Sequence, residues 1–140
     1  MAPRSAFDRV LPFTDRILFD VKAFSPEIHR KFTGCDNRLI LENLAYCNTT
    51  GIPIEIRIPL IPTVNDGEIE AIAEFLAPMH AVTAVRVLPY HAYARTKYTA
   101  LGLNYHGEAW TAPKKSQLLQ ATHTLQQHGL SVICSGITDQ

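Results

Sequence analysis

Short runs of apolar residues alternate along the chain with segments of helical periodicity. Four apolar runs predict β-strands at residues 17–22, 54–61, 85–88 and 131–134. The second run has a period of two, because isoleucine or leucine at 54, 56, 58 and 60 alternates with Glu55, Arg57, Pro59 and Ile61. This alternation predicts a strand that buries one face under helices and turns Arg57 toward the other.

Three segments between these runs predict helices. Asp36 or Asn37 would cap the first, Asn65 or Asp66 the second, and the third would begin at 113–116. Their apolar stripes are predicted at Ile40, Leu41, Leu44 and Ala45, at Ile69, Ile72, Ala73 and Leu76, and at Leu118, Ala121, Thr122 and Leu125. Ser25-Pro26 predicts a turn after the first strand, and Gly51, Pro78 and Gly129 mark the ends of the helices.

The resulting order is β-α-β-α-β-loop-α-β, which predicts an α/β fold with a parallel sheet and right-handed crossovers. The strand ends recur about every 30 to 40 residues, the size of one βα unit, so residues 1–140 hold about four units. A closed eight-stranded barrel takes about 250 residues. We therefore predict a partial (βα) barrel, either a half barrel or part of something longer, whose exposed sheet edge invites homodimers.

Composition and charge argue against nucleic-acid binding, a membrane span, secretion and a cysteine metal site. Thirteen Lys and Arg balance thirteen Asp and Glu, so the net charge of zero gives no basic face for nucleic acid. No apolar run is long enough to cross a membrane, and residues 1–11 lack the apolar core of a secretory signal, so a cytoplasmic location is expected. Cys35, Cys47 and Cys134 are widely spaced and are interpreted as free thiols rather than metal ligands.

Polar residues at strand ends are the candidates for chemistry, because α/β folds place their sites at the carboxyl ends of parallel strands. Asp20 and Lys22 leave the first strand on one face, Arg57 lies on the inner face of the second, and His91 follows the third. Each has a structural alternative: Arg57 could pair with Glu55 or Asp20, Asp20 with Lys22, and His91 could be a structural histidine. Together they suit a ligand that carries a carboxylate and an ammonium group, as an amino acid does.

Two further segments carry weaker signals. Residues 92–112 are too long for a plain connection, which predicts a lid or partner-binding loop. Arg95 and Lys97 alternate there with tyrosines, so single-stranded nucleic acid is an alternative that the overall charge disfavours. His123 and His128 are five residues apart on the last helix and are expected to be solvated.

Several segments together resemble a known family. They are residues 15–22 (DRILFDVK), 29–34 (HRKFTG), 37–43 (NRLILEN), 56–62 (IRIPLIP), 65–66 (ND), 88–91 (LPYH), 97–98 (KY) and 101–102 (LG). In order and spacing they resemble the C-terminal half of glycyl-radical-enzyme activating proteins, the pyruvate formate-lyase activating enzyme family of radical S-adenosylmethionine enzymes. The resemblance implies an oxidoreductase on a partial, six-unit barrel. It also implies that a [4Fe-4S] cluster reduces S-adenosylmethionine, and that the resulting radical takes hydrogen from a backbone glycine of a partner enzyme.

The resemblance also implies roles for the candidate residues. Asp20 and Lys22 match the family's DxK pair near the methionine end of S-adenosylmethionine, where Asp20 can also hold a monovalent cation. Arg57 matches the strand arginine, and His91 the histidine of the LPYH segment. The implied partners are a pyruvate formate-lyase-like glycyl radical enzyme and an electron donor such as flavodoxin or ferredoxin.

Some family features do not occur in this sequence. The CxxxCxxC cluster loop and the Gly-rich motif are missing, and Thr63 and Ala94 stand where the family commonly has glycine. The spacing of the cysteines cannot place three thiolates on one cluster from a single loop. We therefore expect a fragment whose 140 residues cannot bind the cluster or form radicals.

Two other readings remain open at this point. The first is a non-catalytic half-barrel that binds a partner protein through its open edge and the 92–112 loop, or a remnant of an enzyme. The second is an unrelated small α/β enzyme that uses Asp20 and His91 as acid and base.

Overall fold

Four parallel strands form one sheet in the computed structural model, which describes residues 2–90 and 110–134. The strands are β1 (Ile17–Asp20), β2 (Ile54–Leu60), β3 (Val82–Pro89) and β4 (Val132–Cys134), in that spatial order. The predicted α/β fold with a parallel sheet is confirmed. Its strand order is sequential, so each connection moves the chain one strand along, as in a barrel wall.

Five helices accompany the strands in the described residues. They are α1 (Arg4–Val10), α2 (Pro26–Thr33), α3 (Arg38–Thr49), α4 (Ile69–Leu76) and α5 (Lys115–Gln127). Short 3-10 turns follow α1 at Leu11–Phe13 and precede α4 at Asp66–Glu68. None of these described helices is both long enough and apolar enough to cross a membrane.

The core lies between the helices and one face of the sheet. On β2, Ile54, Ile56 and Ile58 are fully buried, whereas Arg57 between them is half-buried. The buried face of the sheet packs with α3, α4 and α5 in one cluster that includes Leu44, Cys47, Ile72, Leu76, Val85, Val87, Leu118 and Leu125. The alternation of β2 in the sequence is thus the alternation between the core and the open face.

The chain bends at Phe24 and Ser25, close to the turn predicted at Ser25-Pro26, but the helix α2 that begins at Pro26 was not predicted. Ser25 is the N-cap of α2, where its hydroxyl accepts a hydrogen bond from the Ile28 N–H at 3.4 Å, and Pro26 is the first helical residue. Proline is favoured at that position because its missing N–H has no helical partner there. Gly34 ends α2 with a φ of 83°, a conformation that costs glycine little.

Other boundaries differ more modestly from the prediction. Strand β1 ends at Asp20 rather than at Lys22, β3 begins at Val82, and α1 was not predicted. On α3, Ala45 is exposed while Asn43 and Cys47 are buried, and on α5 Thr122 is only half-buried. Residues 92–109 of the predicted lid or partner-binding loop lie outside the described residues.

Candidate functional site

The face of the sheet opposite the core carries a row of charged side chains. Register places Asp20 of β1 beside Arg57 of β2, and Arg57 beside Arg86 of β3. Glu55 lies two residues before Arg57 and therefore on the same face. These side chains come from neighbouring strands, so the parallel sheet itself brings them together on its open face.

Asp20 and Arg57 form an ion pair across β1 and β2. The Arg57 Nε donates to Asp20 Oδ1 at 2.9 Å, and the two side chains remain 37% and 46% exposed. The structure thus selects Asp20 from the two partners that the sequence offered for Arg57. An ion pair this exposed contributes little to stability, so a ligand can compete for either group at small cost.

Glu55 pairs instead with Arg86, which sequence reasoning missed. The Arg86 Nε donates to Glu55 Oε1 at 2.7 Å, and Arg16 Nη1 lies 3.9 Å from the other carboxylate oxygen. The hydrogen bond from Arg86 is the main cause that lowers the pKa of Glu55, with further lowering by the charges of Arg86, Arg16 and Arg57. The signal was available: Val85-Arg86-Val87 repeats the pattern of Ile56-Arg57-Ile58.

Asn65 joins the ends of β1 and β2, rather than capping α4 as predicted. Its fully buried side-chain amide donates to the carbonyls of Lys22 and Pro59 at 2.8 and 2.6 Å and accepts from the Ile61 N–H at 2.8 Å. The nearby Glu68 accepts from two backbone N–H groups, those of Phe24 and Ser25, at 2.9 and 2.6 Å. These contacts fix the backbone that follows Asp20.

Of the two other predicted site residues, the structure describes Lys22 but not His91. Lys22 is half-buried two residues beyond the end of β1, and its backbone is held by Asn65. His91 lies outside the described residues, directly after Tyr90. The structure therefore brings Asp20 and Arg57 together, places Lys22 next along the chain, and leaves the position of His91 as a prediction.

Asn37 braces the loop after β1 from the other side. Its buried amide donates to the carbonyls of Ala23 and Phe24, both at 2.8 Å, instead of capping α3. The Asn37 Oδ1 atom is buried without a hydrogen-bond partner among the described residues.

Three aromatic rings meet beside the strand ends. The ring centroid of Trp110 lies 5.0 Å from Phe32 at the end of α2 and 5.7 Å from Tyr90 at the end of β3, in edge-to-face arrangements. Sequence reasoning missed this cluster, because its members are far apart in the chain and share no pattern.

Two other histidines, His29 and His128, make structural contacts. Buried His29 Nδ1 contacts the Cys35 carbonyl at 2.7 Å, and His128 Nε2 contacts Glu70 Oε1 at 2.7 Å. The expectation of a solvated His128 is therefore wrong, because it links α5 to α4, whereas His123 is exposed. All three cysteines are free thiols, and burial raises the pKa of Cys47.

The sequence profile of the Radical SAM superfamily matches residues 3–76, more than half of the chain. The chain belongs to the radical SAM superfamily. A solved domain of a pyruvate-formate lyase-activating enzyme from Bacteroides vulgatus superposes with a TM-score of 0.79 at 28% identity, over 96% of this chain and 76% of that one. The partial-barrel fold class is thereby confirmed.

Curated relatives in this superfamily are activating enzymes. The trans-4-hydroxy-L-proline dehydratase activating enzyme of Clostridioides difficile is 38% identical over 80% of this chain and 38% of its own length. Pyruvate formate-lyase 1-activating enzyme of Escherichia coli K12 is 30% identical over 90% of this chain and 52% of its own length. The resemblance to glycyl-radical-enzyme activating proteins is confirmed, and the chain spans about half the length of these relatives or less.

The charged row fits the methionine end of S-adenosylmethionine. That end presents one ammonium and one carboxylate, and the site presents one carboxylate and one guanidinium, both partly exposed and 2.9 Å apart. Complementary charged groups of this kind form the stronger hydrogen bonds in proteins. The donor set at the strand ends is therefore chemically suited to this cofactor of the radical SAM superfamily.

The described residues do not fit the iron-sulfur cluster that a radical SAM protein uses. Cys47 is buried in the core from α3, Cys134 is on β4, and Cys35 is exposed between α2 and α3. Within residues 2–90 and 110–134, no three His, Cys, Asp or Glu side chains are grouped as metal ligands would be.

Proposed function

We propose that this chain holds the methionine end of S-adenosylmethionine within an activating enzyme for a glycyl radical enzyme. The observation that carries the proposal is the Asp20–Arg57 pair, which is partly exposed beside the end of β1 on the face that the helices leave open. Membership of the radical SAM superfamily and the names of the curated relatives support the same class of activity.

The proposal gives each residue a role that its chemistry allows. The Arg57 guanidinium binds the ligand's carboxylate, and the Asp20 carboxylate accepts from its ammonium group or binds a monovalent cation. Lys22 adds a second positive charge close to the same strand end, and His91, as the family resemblance implies, contacts the same ligand. Asn65 keeps the first strand end in register with the second, since its amide bonds to both.

The cofactor supplies the radical chemistry, and the chain supplies binding and orientation. The cluster requires cysteines other than Cys35, Cys47 and Cys134, so we expect these 140 residues by themselves to be inactive. The proposed protein partner is a pyruvate formate-lyase-like enzyme, with flavodoxin or ferredoxin as the source of electrons.

Calorimetric titration of the chain with S-adenosylmethionine tests the proposal. We expect saturable binding that weakens about tenfold or more in Arg57→Ala, because a charged hydrogen-bond donor is lost. Arg9→Ala is the matched control, since Arg9 is exposed in the last turn of α1, which precedes the start of β1. Equal affinity in the two variants, or no binding at all, would refute the proposal.

The proposed inactivity has its own test. After anaerobic reconstitution with iron and sulfide, the chain should show no reducible [4Fe-4S] spectrum and should not cleave S-adenosylmethionine. A reducible cluster together with cleavage would show that these residues are sufficient for the chemistry.

A half-barrel binding module is a second candidate. Strand β1 is at the edge of the described sheet, and Phe13, Val10 and Leu18 near it are 88%, 56% and 53% exposed. Exposed apolar groups beside an open edge favour association with another chain, including a second copy. Gel filtration that shows a stable dimer, combined with no binding of S-adenosylmethionine, would favour this candidate.

A further inference from the structure

Two guanidinium groups extend from adjacent strands at the same level of the open face. Arg57 of β2 and Arg86 of β3 are register partners, and neighbouring strands lie about 4.8 Å apart. Like charges directly opposite each other in a sheet are destabilising. An arrangement of this kind therefore favours an anion that both cations can share.

Neither carboxylate of the described open face, Asp20 or Glu55, lies between the two guanidinium groups in the register of the sheet. Asp20 binds Arg57 from the β1 side, and Glu55 binds Arg86 from two residues earlier on β2. Each ion pair has one hydrogen bond, made by the arginine Nε. The Arg57 and Arg86 side chains remain 37% and 31% exposed, so both can be reached from solvent.

Among the residues that the structure describes, positive charge is also in excess on this part of the face. Besides Arg57 and Arg86, Arg16 approaches the same Glu55 at 3.9 Å, and Lys22 follows the end of β1. Two carboxylates, Asp20 and Glu55, thus face a larger number of cations. A ligand carboxylate placed between the register partners would reduce this imbalance.

We propose that Arg86 is a second carboxylate-binding residue, which acts with Arg57 on the carboxylate of the bound ligand. Glu55 is then a positioning residue that competes with the ligand for Arg86. The inference rests on the proposed function for the identity of the ligand, S-adenosylmethionine. It adds a residue from β3 that the sequence patterns did not select.

The experiment compares S-adenosylmethionine with decarboxylated S-adenosylmethionine by calorimetry on the full chain. Arg86→Gln should weaken the first about tenfold and change the second less than twofold, because only the first carries the carboxylate. Glu55→Gln should tighten S-adenosylmethionine about threefold, since it releases Arg86 from its competing partner. Arg9→Gln is the matched control and should change neither affinity, because Arg9 is exposed in the last turn of α1, before the first strand begins.

A purely structural role for Arg86 predicts a different result. Removal of Glu55 would then leave binding unchanged or weaken it, and Arg86→Gln would affect both ligands alike, either of which overturns the inference. The double variant Glu55→Gln/Arg86→Gln removes both charges of this ion pair and keeps the test available if Arg86→Gln alone does not fold. It should bind S-adenosylmethionine about as weakly as Arg86→Gln, and binding as tight as the unchanged chain would also overturn the inference.

A second measurement separates this inference from the proposed function. The arginine Nε–Hε resonances of the chain can be followed by NMR during titration with L-methionine and with methioninol, which lacks the carboxylate. Shifts of both the Arg57 and Arg86 resonances with L-methionine alone would support the shared carboxylate site even if S-adenosylmethionine binds no more tightly. If Arg57 shifts without Arg86, or neither shifts, the inference fails, whereas the proposed function is decided by S-adenosylmethionine binding itself.

Discussion

The two faces of strand β2 differ although they belong to the same seven residues. Ile54, Ile56 and Ile58 have no exposed surface, while Arg57 between them holds an exposed ion pair to β1 and the buried Glu55 holds one to β3. Burial of an isoleucine side chain is worth about 1.5–3 kcal/mol, whereas an ion pair as exposed as that of Arg57 with Asp20 contributes about 0–1 kcal/mol. One face therefore carries the stability of the sheet, and the other is available for binding.

The largest loss of stability is expected from a substitution on the buried face of β2. Ile58→Ala should lower the free energy of unfolding by about 2–5 kcal/mol, because it leaves a cavity between β2 and the helices. Urea denaturation monitored by circular dichroism measures the change. Leu18→Ala on the open face is the control and should stay within about 0.5 kcal/mol, since Leu18 is 53% exposed.

The strand ends should also depend on one polar side chain. Asn65→Ala should cost about 2–3 kcal/mol, because it removes the partners of the Lys22 and Pro59 carbonyls and of the Ile61 N–H. Thermal unfolding of this variant and of Asp66→Ala, which changes an exposed neighbour, makes the comparison. An equal shift of Tm in the two variants would contradict the role assigned to Asn65.

On the open face, a substitution should change ligand binding much more than stability. Arg57→Ala should change the free energy of unfolding by less than about 1 kcal/mol, because its ion pair with Asp20 is exposed. The same variant should lose binding of S-adenosylmethionine. Parallel denaturation and calorimetry would sharpen the distinction between the faces, and a loss of stability as large as that of Ile58→Ala would remove it.

The smallest expected effect is on the pH dependence of stability. The pKa of Glu55 is lowered in the folded chain from an ordinary value of 4.5, chiefly by the hydrogen bond from Arg86. Its contribution is therefore present above pH 4.5 and is lost as the pH falls through the lowered folded value. Glu55→Gln should make the decline of the free energy of unfolding below that pH shallower. Denaturation curves at several acidic pH values measure this dependence. An unchanged slope of the free energy of unfolding against pH would show that Glu55 does not contribute.

Local patterns predicted much of the fold. The period of two in β2 predicted which of its residues face the core. Helix α4 was predicted from the spacing of four apolar residues, all of which are buried: Ile69, Ile72, Ala73 and Leu76. Helix α2 was missed because Ser25-Pro26 was interpreted only as a turn, whereas serine followed by proline also begins helices.

The sequence predicted only those site residues whose positions follow from the strands themselves. Asp20 and Arg57 could be named because parallel strands align their carboxyl ends, and the resemblance to the family pointed to the same residues. Asn65, Glu68 and Trp110 could not, because each acts through contacts with residues distant in the chain. Arg86 had a local signal in its alternation with valines, but its partner Glu55 is 31 residues away.

The aromatic cluster at the strand ends provides an optical reporter. Trp110 is the single tryptophan of the sequence, and its ring lies between those of Phe32 and Tyr90. Excitation at wavelengths that only indole absorbs would therefore report on one location, where the end of α2 meets the end of β3. Its emission offers a label-free signal for ligand titrations and for unfolding at this edge of the sheet.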